Sequence, residues 1–251
     1  MNDMTIVSFG TSMYSLELHG AIMKIENDKF YYSDPLLPSG SNIYSWTSQS
    51  RFDETRFQSE LPLLVENKEY QIISDIEEFP INSIFFKVVV YDYYGNDIQE
   101  FNLKSTGGRF TYPEGATNYS IHLVTKANEY IYFSWLAIAP AEALNSTELT
   151  VNRKLNETYL INQKSNRCDI YIESANSTNW IVPLQKKSSK VVIRLTNEEI
   201  SDEDSIDFTF FDDIFHRLKL QKLVVNVYSY GYPLSNTIRA FKNRLIQLNE
   251  G

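Results

Sequence analysis

Three kinds of residue in this sequence have the types and spacing to do chemistry: a serine near a glycine, acids gathered at strand ends, and aromatic rings beside turns. The serine is Ser229, in VYSYG from Val227 to Gly231. A strand ending in Ser-x-Gly ahead of a helix is the nucleophile elbow of serine esterases, whose first glycine lets the turn close. Val227 stands in that first place. In the esterase fold the activating histidine follows the serine along the chain, whereas His19, His122 and His216 all precede it. The segment therefore reads as a strand-to-helix turn with Pro233 near the first helical position, and Ser229 is not assigned as catalytic. No histidine lies at metal-ligand spacing from another or from Cys168, which argues against zinc. His122, in mid-strand, reads as a hydrogen-bonded sheet residue.

Among the acids, Asp75, Glu77 and Glu78 sit at one strand end, and Asp92 and Asp97 flank a turn. Glycoside hydrolysis needs two carboxyl groups about 5 to 10 Å apart across a cleft, which position along a chain does not establish. Asp92, Asn96 and Asp97 could gather oxygen ligands for calcium. The same residues are ordinary tight-turn formers, and that is the preferred reading. There is no phosphate loop and no dinucleotide fingerprint. The chain reads as a non-enzyme with no cofactor and no metal.

The aromatic set is the better lead. Tyr44, Trp46, Tyr91, Tyr93, Tyr94 and Tyr112 fall at strand ends or next to turns, and Asp92 lies among them. Loops and rims are where a β-sandwich presents a binding surface. Rings there can stack on the C–H faces of sugars or anchor a protein partner, while Asp and Asn bond to hydroxyls. The other reading is that these rings plug the ends of the sandwich. Tyr44 and Trp46 close the loop DPLLPSGSNIYSW, which its prolines keep out of a helix or a central strand. That loop is either pinned to the fold by the two rings or offered with them to a ligand.

These residues need a scaffold of strands. GAIMKIENDKFYYS reads as a hairpin around Asn27-Asp28, and KEYQIISDIEE alternates with a period of two. SIFFKVVVYDYYGNDIQEFNL is the clearest hairpin, turning at Tyr94 to Asp97. RFTY, NYSIHLVT and YIYFSWLAI follow, giving about eight to ten short strands without a convincing helix. A sandwich or jelly roll over residues 1–140 is expected, then a linker from Ala139 to Thr150. Beyond it the strands CDIYIES, KVVIRLT and LVVNVYS alternate with apolar stripes at helical spacing. One stripe is Phe211, Ile214, Phe215, Leu218; the other is Leu234, Ile238, Phe241, Leu245, Leu248. A small α/β module over 151–251 is expected. Eight acids and no base lie between Asn197 and Asp213, read as a solvated loop capping the next helix, with a docking strip for a basic partner as the alternative.

The chain has 251 residues and a formal charge of −9, which argues against nucleic acid as a ligand. No signal peptide and no run of about 18 apolar residues is present. One cysteine and no disulfide suit a reducing cytoplasm, so the sequons at Asn118, Asn145, Asn156 and Asn176 are discounted.

PLLPSGSNIYSW, LPLL (Leu61 to Leu64), VVYDYYGNDI and GGRFTYPEGATNYSIHL together resemble the third accessory Sec protein family of Gram-positive bacteria, in collinear order from about Phe30 to Ile138. The resemblance implies a β domain similar to carbohydrate-binding modules. It implies a non-enzymatic cytoplasmic adaptor in the export of glycosylated serine-rich repeat adhesins. The implied partners are the first and second accessory Sec proteins, the accessory SecA motor and the adhesin, with glycan or unfolded chain as possible ligands. Nothing is carried over to residues after Thr150. The alternatives are a freestanding lectin-like carbohydrate-binding module and, with its histidine missing, an esterase built on Ser229.

Overall fold

A computed structural model describes residues 3–9, 20–26, 29–49, 59–145, 147–152, 157–162, 164–175, 180–184, 188–202, 206, 208–220, 223–230 and 235–250. In chain order the first strands are β1 (Asp3–Val7), β2 (Ile22–Glu26), β3 (Lys29–Ser33), β4 (Asn42–Thr47), β5 (Glu69–Phe79), β6 (Ile84–Tyr91), β7 (Asp97–Lys104), β8 (Gly107–Thr111), β9 (Asn118–Thr125) and β10 (Tyr130–Pro140). Then come α1 (Ala141–Leu144), β11 (Thr147–Asn152), β12 (Glu157–Asn162), β13 (Arg167–Ser174), β14 (Trp180–Pro183) and β15 (Ser189–Leu195). The chain ends with α2 (Asn197–Ser201), α3 (Thr209–Arg217), β16 (Val224–Tyr230) and α4 (Ser235–Glu250).

Two units form: Met1–Leu144 with Thr178–Ile181, and Asn145–Ser177 with Val182–Gly251. The first holds a curled, sandwich-like sheet in the order β14-β1-β10-β5-β8-β7-β6-β9-β4, with β3 also pairing β10 and carrying β2. Strict alternation builds it. In β6, Ile84, Phe86, Val88 and Val90 face the core, while Phe85, Lys87 and Tyr91 lie half-buried on the other side. A slip of one residue would exchange those faces, so the pattern itself fixes the pairing of β6 with β7 and β9. One turn depends on a glycine. A Cβ on Gly107, whose φ is +102°, would stand 2.1 Å from the Ile72 carbonyl oxygen. The turn expected at Asn27-Asp28 lies outside the described residues, although Glu26 and Lys29 do pair across it.

The stretch expected as a linker is ordered structure. β10 runs to Pro140, α1 follows, and Thr147–Asn152 pairs with β12. The small and polar residues that suggested a loop are exposed edge-strand positions, where packing demands little.

The second unit is a five-stranded mixed sheet in the order β11-β12-β15-β13-β16, with β13 parallel to both its neighbours. This bears out the α/β character expected of it. Cys168, Ile170, Ile172, Val191 and Ile193 on one face pack with Phe211, Ile214 and Phe215 of α3 and Phe241 and Leu245 of α4. Phe211 and Phe241 meet edge-to-face at 5.0 Å. Leu234, expected in the second stripe, lies outside the described residues. Alternation puts Asp169 and Lys190 on the other face, buried side by side, with Lys190 Nζ donating to Asp169 Oδ2 at 2.9 Å. Ser188 Oγ at 2.5 Å and Asn226 Nδ2 at 2.9 Å complete the carboxylate's partners. Burial works to raise the Asp169 pKa, but these bonds outweigh it and hold the carboxyl below its usual range.

The acidic run is divided. Thr196 caps α2 in a capping box, its hydroxyl accepting from the Glu199 N–H at 3.3 Å while Glu199 accepts from the Thr196 N–H at 2.8 Å. Asp212 is paired with Arg244 of α4. Residues 203–205 and 207 lie outside the described residues.

Candidate functional site

The β6–β7 turn is built around one carboxylate. Asp92 Oδ1 accepts from the N–H groups of Tyr94 and Asn96, both at 2.8 Å, and Oδ2 accepts from Asn96 Nδ2 at 2.9 Å. The Asp92 N–H donates to the Asn96 carbonyl at 3.0 Å, and Gly95, at φ +84°, supplies the left-handed step. The side-chain bond from Asn96, then the backbone bonds, keep the Asp92 carboxyl below its usual pKa, so it stays ionised and bonded. Both oxygens are thus taken up within the turn. The Thr117 N–H donates to the Tyr91 carbonyl at 2.9 Å and ties the turn to the loop before β9. On this rigid frame Tyr93 and Tyr94 stand 83% and 85% exposed, their rings edge-to-face at 5.6 Å. Two large rings held apart from the core are the arrangement that anchors a partner at low cost in entropy.

Tyr91 is half-buried and begins a chain of bonds across three strands. Its hydroxyl shares a hydrogen bond with Ser120 Oγ at 2.9 Å. Ser120 lies 2.7 Å from His122 Nε2, and Ser45 Oγ lies 2.7 Å from Nδ1. Burial first, and Lys87 second, lower the His122 pKa, so the imidazole is neutral near pH 7 and serves one serine as donor and the other as acceptor. His122 is a sheet residue, as its mid-strand position suggested.

Three of the expected ligand contacts are corrected. Trp46, Tyr44 and Tyr112 are buried to within 2% and cannot offer their faces to a ligand. Tyr44 and Trp46 sit two apart on β4, beyond a bulge, so both turn into the core. Trp46 stacks on Phe9 at 5.8 Å, tilts against Phe133 at 5.5 Å, and donates its indole N–H to the Ser8 carbonyl at 3.0 Å. Tyr44 donates to Glu60 Oε1 at 3.2 Å, and burial pushes the Glu60 carboxyl up to about 7. Tyr112 packs edge-on against Tyr119 at 5.9 Å, and burial raises its phenol to about 12. The loop before β4 is pinned by its rings and by the Gly40 N–H, which donates to Thr125 O at 2.7 Å.

The other acids act as clamps. Lys29 spans Glu77 at 2.5 Å and Asp75 at 3.7 Å. Glu78 accepts from Ser105 Oγ at 2.5 Å and from the Ile84 N–H at 2.7 Å. A further aromatic group escaped sequence reasoning: Phe79, Tyr130 and Tyr31 stack in a column at 5.5 and 6.0 Å, with Tyr132 beside it and Lys24 over the Tyr31 ring. The signal was present in cross-strand positions such as Tyr130 opposite Phe79, but pairing is needed to see it. Those rings spend their faces on one another, which leaves the Tyr93–Tyr94 turn as the open aromatic feature among the expected residues.

Residues 17–140 match the family model described as "Accessory Sec secretory system ASP3". The "Accessory Sec system protein Asp3" of Streptococcus gordonii is 31% identical over 111 residues, which cover 44% of this chain and 70% of that protein. The protein of the same name from Staphylococcus aureus is 26% identical over 121 residues, covering 48% of this chain and 38% of it. A chain of the crystal structure of accessory secretory protein 1,2 and 3 in Streptococcus pneumoniae is 27% identical, with a TM-score of 0.51, over 53% of this chain and 94% of that one. A chain of the glycosylation associate protein (Gap123) complex from Streptococcus agalactiae matches 96% of this chain and 75% of its own, with a TM-score of 0.53 and 19% identity, a likeness of fold. No helix among the described residues is long and apolar enough to cross a membrane.

Proposed function

Because the chain belongs to the accessory Sec system Asp3 family, we propose that it is a non-enzymatic adaptor. It assembles in the cytoplasm with the first and second accessory Sec proteins. It helps bring a glycosylated serine-rich repeat adhesin to the accessory SecA motor for export. The observation that carries the reading is the 27% identical chain solved in a crystal structure of accessory secretory proteins 1, 2 and 3, 94% of which this chain covers.

Within that reading the Tyr91–Asp97 turn is the contact. Tyr93 and Tyr94 supply anchor rings, Asp92 holds the backbone that presents them, and Tyr91 joins the turn to the sheet. Single sugars or short stretches of adhesin would bind weakly, and a repeated substrate would gain through effective concentration. The test is co-purification of this chain with its first and second accessory Sec partners, comparing wild type with Tyr93→Ala/Tyr94→Ala. Stable recovery of both partners with wild type, and its loss with the double variant, is the expected result. A wild-type chain that elutes alone removes the adaptor reading. Recovery unaffected by the double variant removes the turn from the interface and leaves the adaptor reading standing.

A further inference from the structure

The second unit ends its sheet on an unguarded edge. β16 is the terminal strand in the order β11-β12-β15-β13-β16. Its sequence, VVNVYSY, holds no charged residue and no proline, and its pairing with β13 runs without a bulge. Those are the devices by which edge strands normally avoid joining other chains.

The orientation of the free groups follows from one bond. The Val224 N–H donates to the Asn166 carbonyl at 2.9 Å, on the β13 side. Backbone direction alternates along a strand, so the N–H and C=O groups of Val225, Val227 and Ser229 face away from β13. Among the described residues no strand pairs with them. Beside this edge lies a cavity of about 530 Å³, whose lining includes Val225, Val227, Lys242, Leu245, Ile246 and Asn249. Val224 and Ile246 are each 55% exposed.

We propose that this edge is an interface between two copies of the chain, joined by antiparallel pairing of β16 with β16. Charge favours that occupant: the whole chain carries −9, yet this strand carries no charge to repel its copy. Pairing geometry favours it too. Centring the two-fold on Val227 sets Val227 against Val227 and Val225 against Ser229, all outward-facing positions, for about six backbone hydrogen bonds. The strand has the β-branched and aromatic residues that fill such a ladder. On the helix side, the partner's valines enter the groove that Leu245 and Ile246 line. The contact is isologous, so it closes at two chains instead of growing into a fibre. It does not depend on the adaptor reading.

The test is sedimentation of the full chain over a dilution series reaching about 100 µM, since association follows mass action. Wild type is expected to reach the mass of two chains. Val224→Lys, which charges an exposed edge position, and Ser229→Pro, which removes an outward N–H, return it to one chain with unchanged circular dichroism. Ile246→Glu, on the helix and clear of the strand, weakens association by about tenfold or more. Tyr94→Ala leaves the dimer intact. A wild type that stays monomeric through the series overturns the proposal, as does a dimer that survives Val224→Lys and Ile246→Glu. Dissociation by Tyr94→Ala would move the interface to the first unit and overturn it as well.

Discussion

Tyr44–Trp46 and Tyr93–Tyr94 are both aromatic pairs next to a glycine-containing turn, and the fold treats them in opposite ways. The first pair is spaced by two on a strand, shares one face of the pleat, and is buried to within 1%. The second is consecutive within a turn, outside any pleat, and both rings are more than 80% exposed. The type of residue is nearly the same. Spacing and backbone decide whether a ring stabilises the fold or faces outward.

Trp46→Ala probes the buried side of that contrast and should have the largest effect. It removes a ring enclosed by Phe9, Tyr44, Phe86 and Phe133 and leaves the Ser8 carbonyl without its donor, so a loss of about 3–5 kcal/mol in denaturant unfolding is expected. Partner recovery per folded molecule should stay unchanged. A fall in recovery without a fall in stability would erase the distinction between the two pairs.

Tyr93→Ala/Tyr94→Ala probes the exposed side. Stability should move by less than about 0.5 kcal/mol, while affinity for the accessory Sec partners falls by about 2 kcal/mol, or roughly thirtyfold, as for truncated interface anchors. Calorimetric titration against the partners measures the second quantity. An equal loss of stability would make these rings structural after all.

Glu60 gives a pH signature that belongs to the Tyr44 side alone. Its folded pKa, raised by burial to about 7, lies above the ordinary carboxylate value, so between about 4.5 and 7 the folded state holds a proton that the unfolded state has released. This contribution favours folding below about 4.5 and is lost as pH rises through that window. Its size is about 2 kcal/mol. Glu60→Gln should flatten this part of the stability profile, and an unchanged slope would assign the pH dependence elsewhere.

The smallest effect is expected from Asp92→Ala. It leaves both rings in place and removes the carboxylate that accepts from Tyr94 and Asn96. Partner affinity should fall by less than in the double tyrosine variant, with little change in thermal unfolding. A loss as large as that of the rings themselves would make Asp92 a direct contact.

The sequence by itself determined the strands of the first unit, the helical stripes of the second, and the rejection of Ser229, because period and residue order are properties of the chain alone. Alternation in IFFKVVVY and the spacing of Phe211, Ile214 and Phe215 state which faces are apolar. The Asp92-Gly95-Asn96 turn was legible for the same reason, since its hydrogen bonds are local. Only the tertiary structure decided that Trp46 is core, that Phe79, Tyr130 and Tyr31 form a column, and that Asp169 meets Lys190 across neighbouring strands. It alone placed β16 at the edge of its sheet. Each of these depends on which distant strands become neighbours, and a local pattern carries no information about the strand that will lie beside it.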